Sequence, residues 1–192
     1  MNLKGFIHII VGLIFLFLNF YINGFDIIPD FVGYIFILVG LNSLSKYHPA
    51  FSQASVAAAI LLVLSIIGIF QGPATPSSSQ AWNALLTLLW FVQNLIALIC
   101  AVGLRLLLGK GMVDLLKKFD LAEDAEKTKN CVTLNIVLLL IVGLLSFPPL
   151  LSLQAFAPLT VLVIIAGLFA GLWLMIRINQ NRELLESKSR LL

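Results

Sequence analysis

Two carboxylates, Asp26 and Asp30, stand four residues apart between two strongly apolar runs, in the stretch Asn23-Gly-Phe-Asp-Ile-Ile-Pro-Asp-Phe-Val-Gly-Tyr34. Acidic side chains in a poorly hydrated setting can bind a cation, exchange a proton, or divide acid and base roles once burial and mutual repulsion split their pKa values. The pair also suits a plainer task. Pro29 fits a first helical turn, where its missing N–H is not needed, and carboxylates are favoured at the positive end of a helix. Which chemistry applies depends on the elements that flank the pair.

Composition fixes the class of those elements. Apolar residues make up 60% of the chain and charged residues 11%, with a mean hydropathy of +1.06, whereas soluble domains average about 45–50% and about 25%. The apolar residues fall in runs of roughly 18 or more, enough at about 1.5 Å per helical residue to cross a hydrocarbon core of about 30 Å. The expected fold is an all-α integral membrane protein: a six-transmembrane-helix bundle forming one polytopic domain over residues 1–192, with spans at about 6–22, 27–45, 49–70, 81–108, 131–147 and 158–178. The first span has Lys4 ahead of its apolar core, but no small-x-small cleavage pattern follows Ile22, so it reads as retained. The connection at 109–130 is expected to carry a short cytoplasmic amphipathic helix, since Met112, Leu115, Leu116 and Phe119 recur at helical spacing. Asp120 and Glu123 then give a capping-box pattern for the helix entering the fifth span. The segment after the sixth span reads as a solvated helical extension.

The basic residues give an independent test. Lys4, Lys46, Arg105, Lys110, Lys117, Lys118, Lys127, Lys129, Arg177, Arg182, Lys188 and Arg190 fall only in the amino-terminal segment, the second loop, the fourth loop or its flanks, and the carboxy-terminal segment. By the positive-inside rule this alternation makes a multi-pass cell-membrane protein with both termini cytoplasmic. The net charge of +3 then reflects topology and attraction to anionic headgroups, and no nucleic-acid partner is expected. Cys100 and Cys131 lie near cytoplasmic ends of spans, where thiols stay reduced, and neither they nor His8 and His48 have ligand spacing. No disulfide, metal or cofactor is expected.

In this topology the opening stretch is the first outward loop and the start of the second helix. Asn19 and Asn23 share a face of the preceding helix, so two amides, Asp26 and Asp30 can gather around one outward-open polar pocket, with Tyr34 adding a hydroxyl one turn on. Gly33 and Gly40 lie on nearly the same face as Asp30 and allow another helix to approach closely. On the fourth span Asn83, Thr87, Trp90, Asn94, Ala97, Ala101 and Arg105 form one narrow stripe, and Asn135 adds an amide on the fifth. The candidate binding set is thus Asn19, Asn23, Asp26, Asp30, Tyr34 and Asn94. The stripe fits either a lined solute path or interhelical packing, and Gly167 and Gly171 make a small-xxx-small face on the sixth span.

The pattern Asp26-Ile-Ile-Pro29-Asp30-Phe-Val-Gly33-Tyr34 resembles a D-x-x-P-D-x-x-G-Y hairpin of uncharacterised small polytopic bacterial membrane proteins. The resemblance covers little beyond the first two spans and implies a membrane location, with no activity or catalytic residue attached. The chain contains no HExxH helix, GxSxG elbow, P-loop or dinucleotide fingerprint, and no catalytic residue is assigned. Two function classes stand ahead of enzymology. One is handling of a small solute or ion through the outward-facing polar pocket; the other is a non-catalytic accessory, interaction or membrane-protection role. The expected partners are the lipid bilayer and either a second copy of the chain or another membrane protein.

Overall fold

In a computed structural model the described residues are 3–17, 21–22, 25–26, 30–70, 80–145 and 157–191. They form six helices and one short strand pair: α1 (Lys4–Phe17), β1 (Tyr21–Ile22), β2 (Phe25–Asp26), α2 (Asp30–Leu44), α3 (Pro49–Phe70), α4 (Gln80–Lys118), α5 (Ala122–Leu145) and α6 (Ala157–Leu191). Helices α3 to α6 are long and apolar enough to cross a membrane, while α1 and α2 are shorter apolar helices. The chain is an all-α membrane protein.

The first two apolar runs stop short of the expected spans. Between α1 and α2 the chain forms an antiparallel pair, Tyr21 opposite Asp26 and Ile22 opposite Phe25. In sequence these strands flank Asn23-Gly24, a dipeptide favoured in two-residue hairpins; Asn23 and Gly24 themselves lie outside the described residues. At about 1.5 Å per residue α1 and α2 measure only about 21 and 22 Å.

The fourth apolar run goes further than expected. Helix α4 continues unbroken through Gly109 and Gly111 to Lys118, 39 residues in all, so the amphipathic stretch is its last turns and not a separate helix. Glycine costs a helix interior about 1 kcal/mol, but here it permits close contact. A Cβ on Gly109 would lie 2.7 Å from the Val132 side chain, and one on Gly111 would lie 2.8 Å from the Phe51 ring. Met112, Leu115 and Leu116 are buried, so this apolar face meets the protein's own helices.

Asp120 closes α4 instead of opening α5. Its φ of 61° is left-handed, and the amides of Asp120 and Leu121 donate to the carbonyls of Lys117 and Leu116 at 3.2 and 3.0 Å, the pairing of a Schellman C-cap. Leu121 takes the place at the start of α5, where its carbonyl accepts the Ala125 amide at 3.0 Å. Likewise α6 runs past the expected end of its span, and its extension is packed: Asn181 and Leu185 are fully buried, as is Ile178 at the span's end.

Each helix packs on its neighbours in chain order, and α6 returns to pack on α1, closing a ring. The register is antiparallel. Gly5 faces Gly40 and Gly12 faces Gly33, and a Cβ on any of the four would lie 2.5–2.8 Å from the partner's carbonyl oxygen. The two-turn spacing of glycine on both helices thus lets the backbones touch, a geometry that admits Cα–H···O contacts. Gly109 faces Val132 and Gly143 faces Leu98 across the α4–α5 pair, and the Phe17 ring fills the space beside Gly171 to join α1 to α6. The up-and-down course gathers Lys4, Lys46, Lys110, Lys117, Lys127 and Lys188 at one end of the ring, called the basic end below. The buried core, with Phe6, Leu44, Phe51, Met112, Leu116 and Leu185, sits in the half nearest that end.

Candidate functional site

Five of the six helices line a cavity of about 40 Å³ inside the ring. Its wall is almost wholly aliphatic: Ile9, Leu13 and Leu16 project from one face of α1 at spacings of four and three, joined by Ile37, Leu61, Leu104, Leu108 and Leu174. Two polar residues complete it, Tyr34 of α2 and Arg105 of α4. The close approach of α1 and α2 fixes Tyr34, because Gly33 beside it packs against the backbone of Gly12.

Arg105 is held by two neutral acceptors. Its Nε donates to Asn135 Oδ1 of α5 at 2.7 Å, and Nη1 donates to the Ala101 carbonyl one turn back on α4 at 3.1 Å. That second bond sets its direction. An arginine near a membrane surface ordinarily reaches toward the headgroups, and the lysine-bearing end of α4 lies toward its C-terminus. Arg105 instead folds toward the N-terminus, deeper into the apolar part of the bundle. Among the described residues no carboxylate forms an ion pair with it.

Asp30 and Tyr34 lie one turn apart on α2, and the Tyr34 hydroxyl is within electrostatic reach of both the Asp30 carboxylate and the Arg105 guanidinium. One Asp30 oxygen is buried. The structure therefore brings together two of the residues singled out in the sequence. Asn19 and Asn23 lie outside the described residues, as does the side chain of Asp26, whose backbone pairs with Tyr21. Asn94 is exposed, and its amide donates to the Trp90 carbonyl of its own helix at 2.7 Å. The α4 stripe consequently divides in two. Thr87, Trp90 and Asn94 face outward, whereas Ala97 and Ala101 pack against the core and Arg105 reaches the cavity.

A second polar cluster, toward the basic end, was not evident from sequence. Arg177 of α6 pairs with Asp124 of α5 at 2.9 Å, and the Asn181 amide donates to Thr128 Oγ1 at 2.9 Å, which in turn donates to the Asp124 carbonyl at 2.7 Å. Thr128 and Asn181 are both fully buried. The only signal for them is their spacing: Ile178, Asn181 and Leu185 repeat at three and four, as do Ala125, Thr128 and Val132. Between them these residues tie α5 to α6. The short turn from α2 to α3 is tied down similarly, with His48 Nδ1 accepting the Ala50 amide at 3.2 Å and His48 Nε2 lying 3.3 Å from Asp114 of α4. Cys100 and Cys131 carry free thiols.

Comparison of the chain with protein-family models, with curated proteins and with solved structures finds no match.

Proposed function

We propose that this multi-pass protein of the cell membrane, with both termini in the cytoplasm, handles a small solute or ion at the Tyr34–Arg105 cavity. The observation that carries this reading is Arg105, a guanidinium turned away from the basic end toward an apolar cavity and held there by an amide and a carbonyl. Ionisable groups inside a membrane bundle are costly and mark binding sites and pathways. Joining α4 to α5 needs no charge, since amide pairs and small residues hold helices together at lower cost. Asp30, one turn further toward the outward end than Tyr34, stands between the cavity and the strand pair, where it can serve as an entry group.

Osmotic swelling of reconstituted vesicles tests this. With sodium formate, potassium chloride, urea and glycerol as probes, the wild type should accelerate entry of at least one, and Arg105→Gln should return that rate to that of empty vesicles while still purifying as folded protein. No acceleration for any probe, or an unchanged rate in Arg105→Gln, would refute the proposal. The orientation has its own test. Cysteines placed at Ser78 and Gln154 should react with an impermeant reagent from outside and one at Ser187 only after permeabilisation; the inverse pattern would overturn it.

A further inference from the structure

Resting on that reading of the cavity, we infer that its ligand is a small monovalent anion. The donor set points one way. Arginine carries five N–H groups and no acceptor; two are engaged, by Asn135 and Ala101, so five less two leaves three without a partner among the described residues. Tyr34 adds an O–H, and the remaining wall is aliphatic with no carboxylate in it. Asn135 and Ala101 are neutral, so among the described residues no bonded partner balances the positive charge of Arg105. A charge drawn partly out of water is better tolerated when it is paired, and an anion would supply the missing charge. A cation would be repelled, and a neutral guest would leave the charge as it is.

Size narrows the class. A site needs about 10–15 Å³ of such volume to hold one water, so a cavity of about 40 Å³ takes a guest of two or three heavy atoms, such as formate, or a single halide. A phosphate ester or a lipid headgroup is too large. The direction of the guanidinium agrees with this, since Arg105 faces away from the end where headgroups would meet the lysines. Asp30 does not line the cavity. Its carboxylate would oppose an anion passing from the outward end, so entry from that side should be faster when Asp30 is neutralised.

The test is thermal melting of the full chain in detergent at constant ionic strength, with sodium gluconate replaced stepwise by sodium formate. The melting temperature of the wild type should rise with formate and then saturate. Arg105→Gln should lose the saturable rise, and Arg105→Lys should keep it but require more formate. Leu61→Phe leaves the charge in place and fills the cavity, so it should lose the rise while remaining folded; it also decides the matter if Arg105→Gln fails to fold. An equal response to gluconate and formate in the wild type, or a formate response that survives in Leu61→Phe, would overturn the inference. The vesicle assay separates this from the broader reading. Saturable formate stabilisation without flux of any probe would uphold anion binding and refute solute handling. Flux of potassium or urea that is lost in Leu61→Phe, with no formate response, would do the reverse.

Discussion

Among the described residues both halves of this ring are rich in apolar side chains, yet only one is closely packed. Toward the basic end Phe6, Leu41, Phe51 and Leu116 are fully buried; in the other half Leu88, Ile99, Leu144, Leu162 and Phe169 are each more than half exposed. Hydrophobicity cannot account for the difference, because lipid tails are as apolar as leucine and supply no drive to bring helices together. What the packed half has more of is glycine in register and polar groups that meet across helices. Gly5, Gly12, Gly33, Gly40, Gly109 and Gly111 all face a neighbour at close range, whereas toward the other end Gly143 and Gly171 each meet a single side chain, Leu98 and Phe17, and Gly68 and Gly167 face open space. The interhelical pairs Arg105–Asn135, Arg177–Asp124 and Asn181–Thr128 all lie in the packed half, while in the open half Asn94 bonds to its own helix and Gln93 makes a long 3.4 Å hydrogen bond to the Leu64 carbonyl of α3.

Glycine substitutions should break this contrast most severely. Gly12→Leu or Gly40→Leu drives a side chain into a carbonyl 2.5 Å away, an obstacle that cannot swing aside. Overpacking costs about 1–3 kcal/mol, and these two variants should reach or exceed that range, with a large fall in melting temperature or failure to accumulate. Gly167→Leu meets nothing within 4 Å and should melt within about 0.5 kcal/mol of wild type, as surface changes do. Equal losses at Gly12 and Gly167 would erase the distinction between the halves.

The α5–α6 cluster should show the next largest effect. Arg177 and Asp124 are 11% and 24% exposed, between the surface case worth about 0–1 kcal/mol and the buried case worth about 3–5, so Asp124→Ala should cost about 1–3 kcal/mol. Thr128→Val strands the Asn181 amide and should cost a similar amount, about 1–3 kcal/mol. The two should not add, because Arg177 donates both to the Asp124 carboxylate and to the Asp124 carbonyl that Thr128 also uses. A double-mutant cycle read by melting checks this, and strict additivity would show that the contacts act separately.

The smallest effect belongs to Glu123, on the exposed surface of α5. A hydrogen bond from Lys127, with its nearby charge, holds the Glu123 carboxyl below the usual glutamate range. Because the folded-state value is depressed, the pair's contribution is present above the ordinary glutamate range and disappears as pH falls through the folded value. Carboxyl NMR titration should find Glu123 below ordinary glutamates in the wild type and back among them in Lys127→Gln. No change in Lys127→Gln would remove Lys127 as the cause.

How legible each half was in the sequence follows from the same physics. Membrane class and helical content come from summed hydropathy, which needs no knowledge of neighbours. The packing role of Gly33 and Gly40 was readable because both share a helical face. Their partners Gly5 and Gly12 were not, since register between helices is a tertiary property. Arg105 and Asn135 were both visible as polar residues in spans, but the stripe could not show that its two ends face different surroundings. The boundary at Asp120 misled because Asp is favoured at N-caps and also tolerates the left-handed conformation of a C-cap. The Tyr21–Asp26 strand pair was hidden by residues apolar enough to extend a helix on composition alone.

The cavity exists only if α6 closes the ring against α1, so closure is the claim on which the rest depends. Replacing Phe17 and Gly171 together by cysteine, with Cys100 and Cys131 changed to alanine, exchanges a large and a small residue for two of middle size at the point of closure. A short bifunctional thiol reagent applied to membranes should then link the pair within one chain, giving a faster-migrating monomer on a denaturing gel. Links formed only between two chains, or none in a protein shown to be folded, would mean that the ring is open and that Arg105 has no enclosed cavity to face.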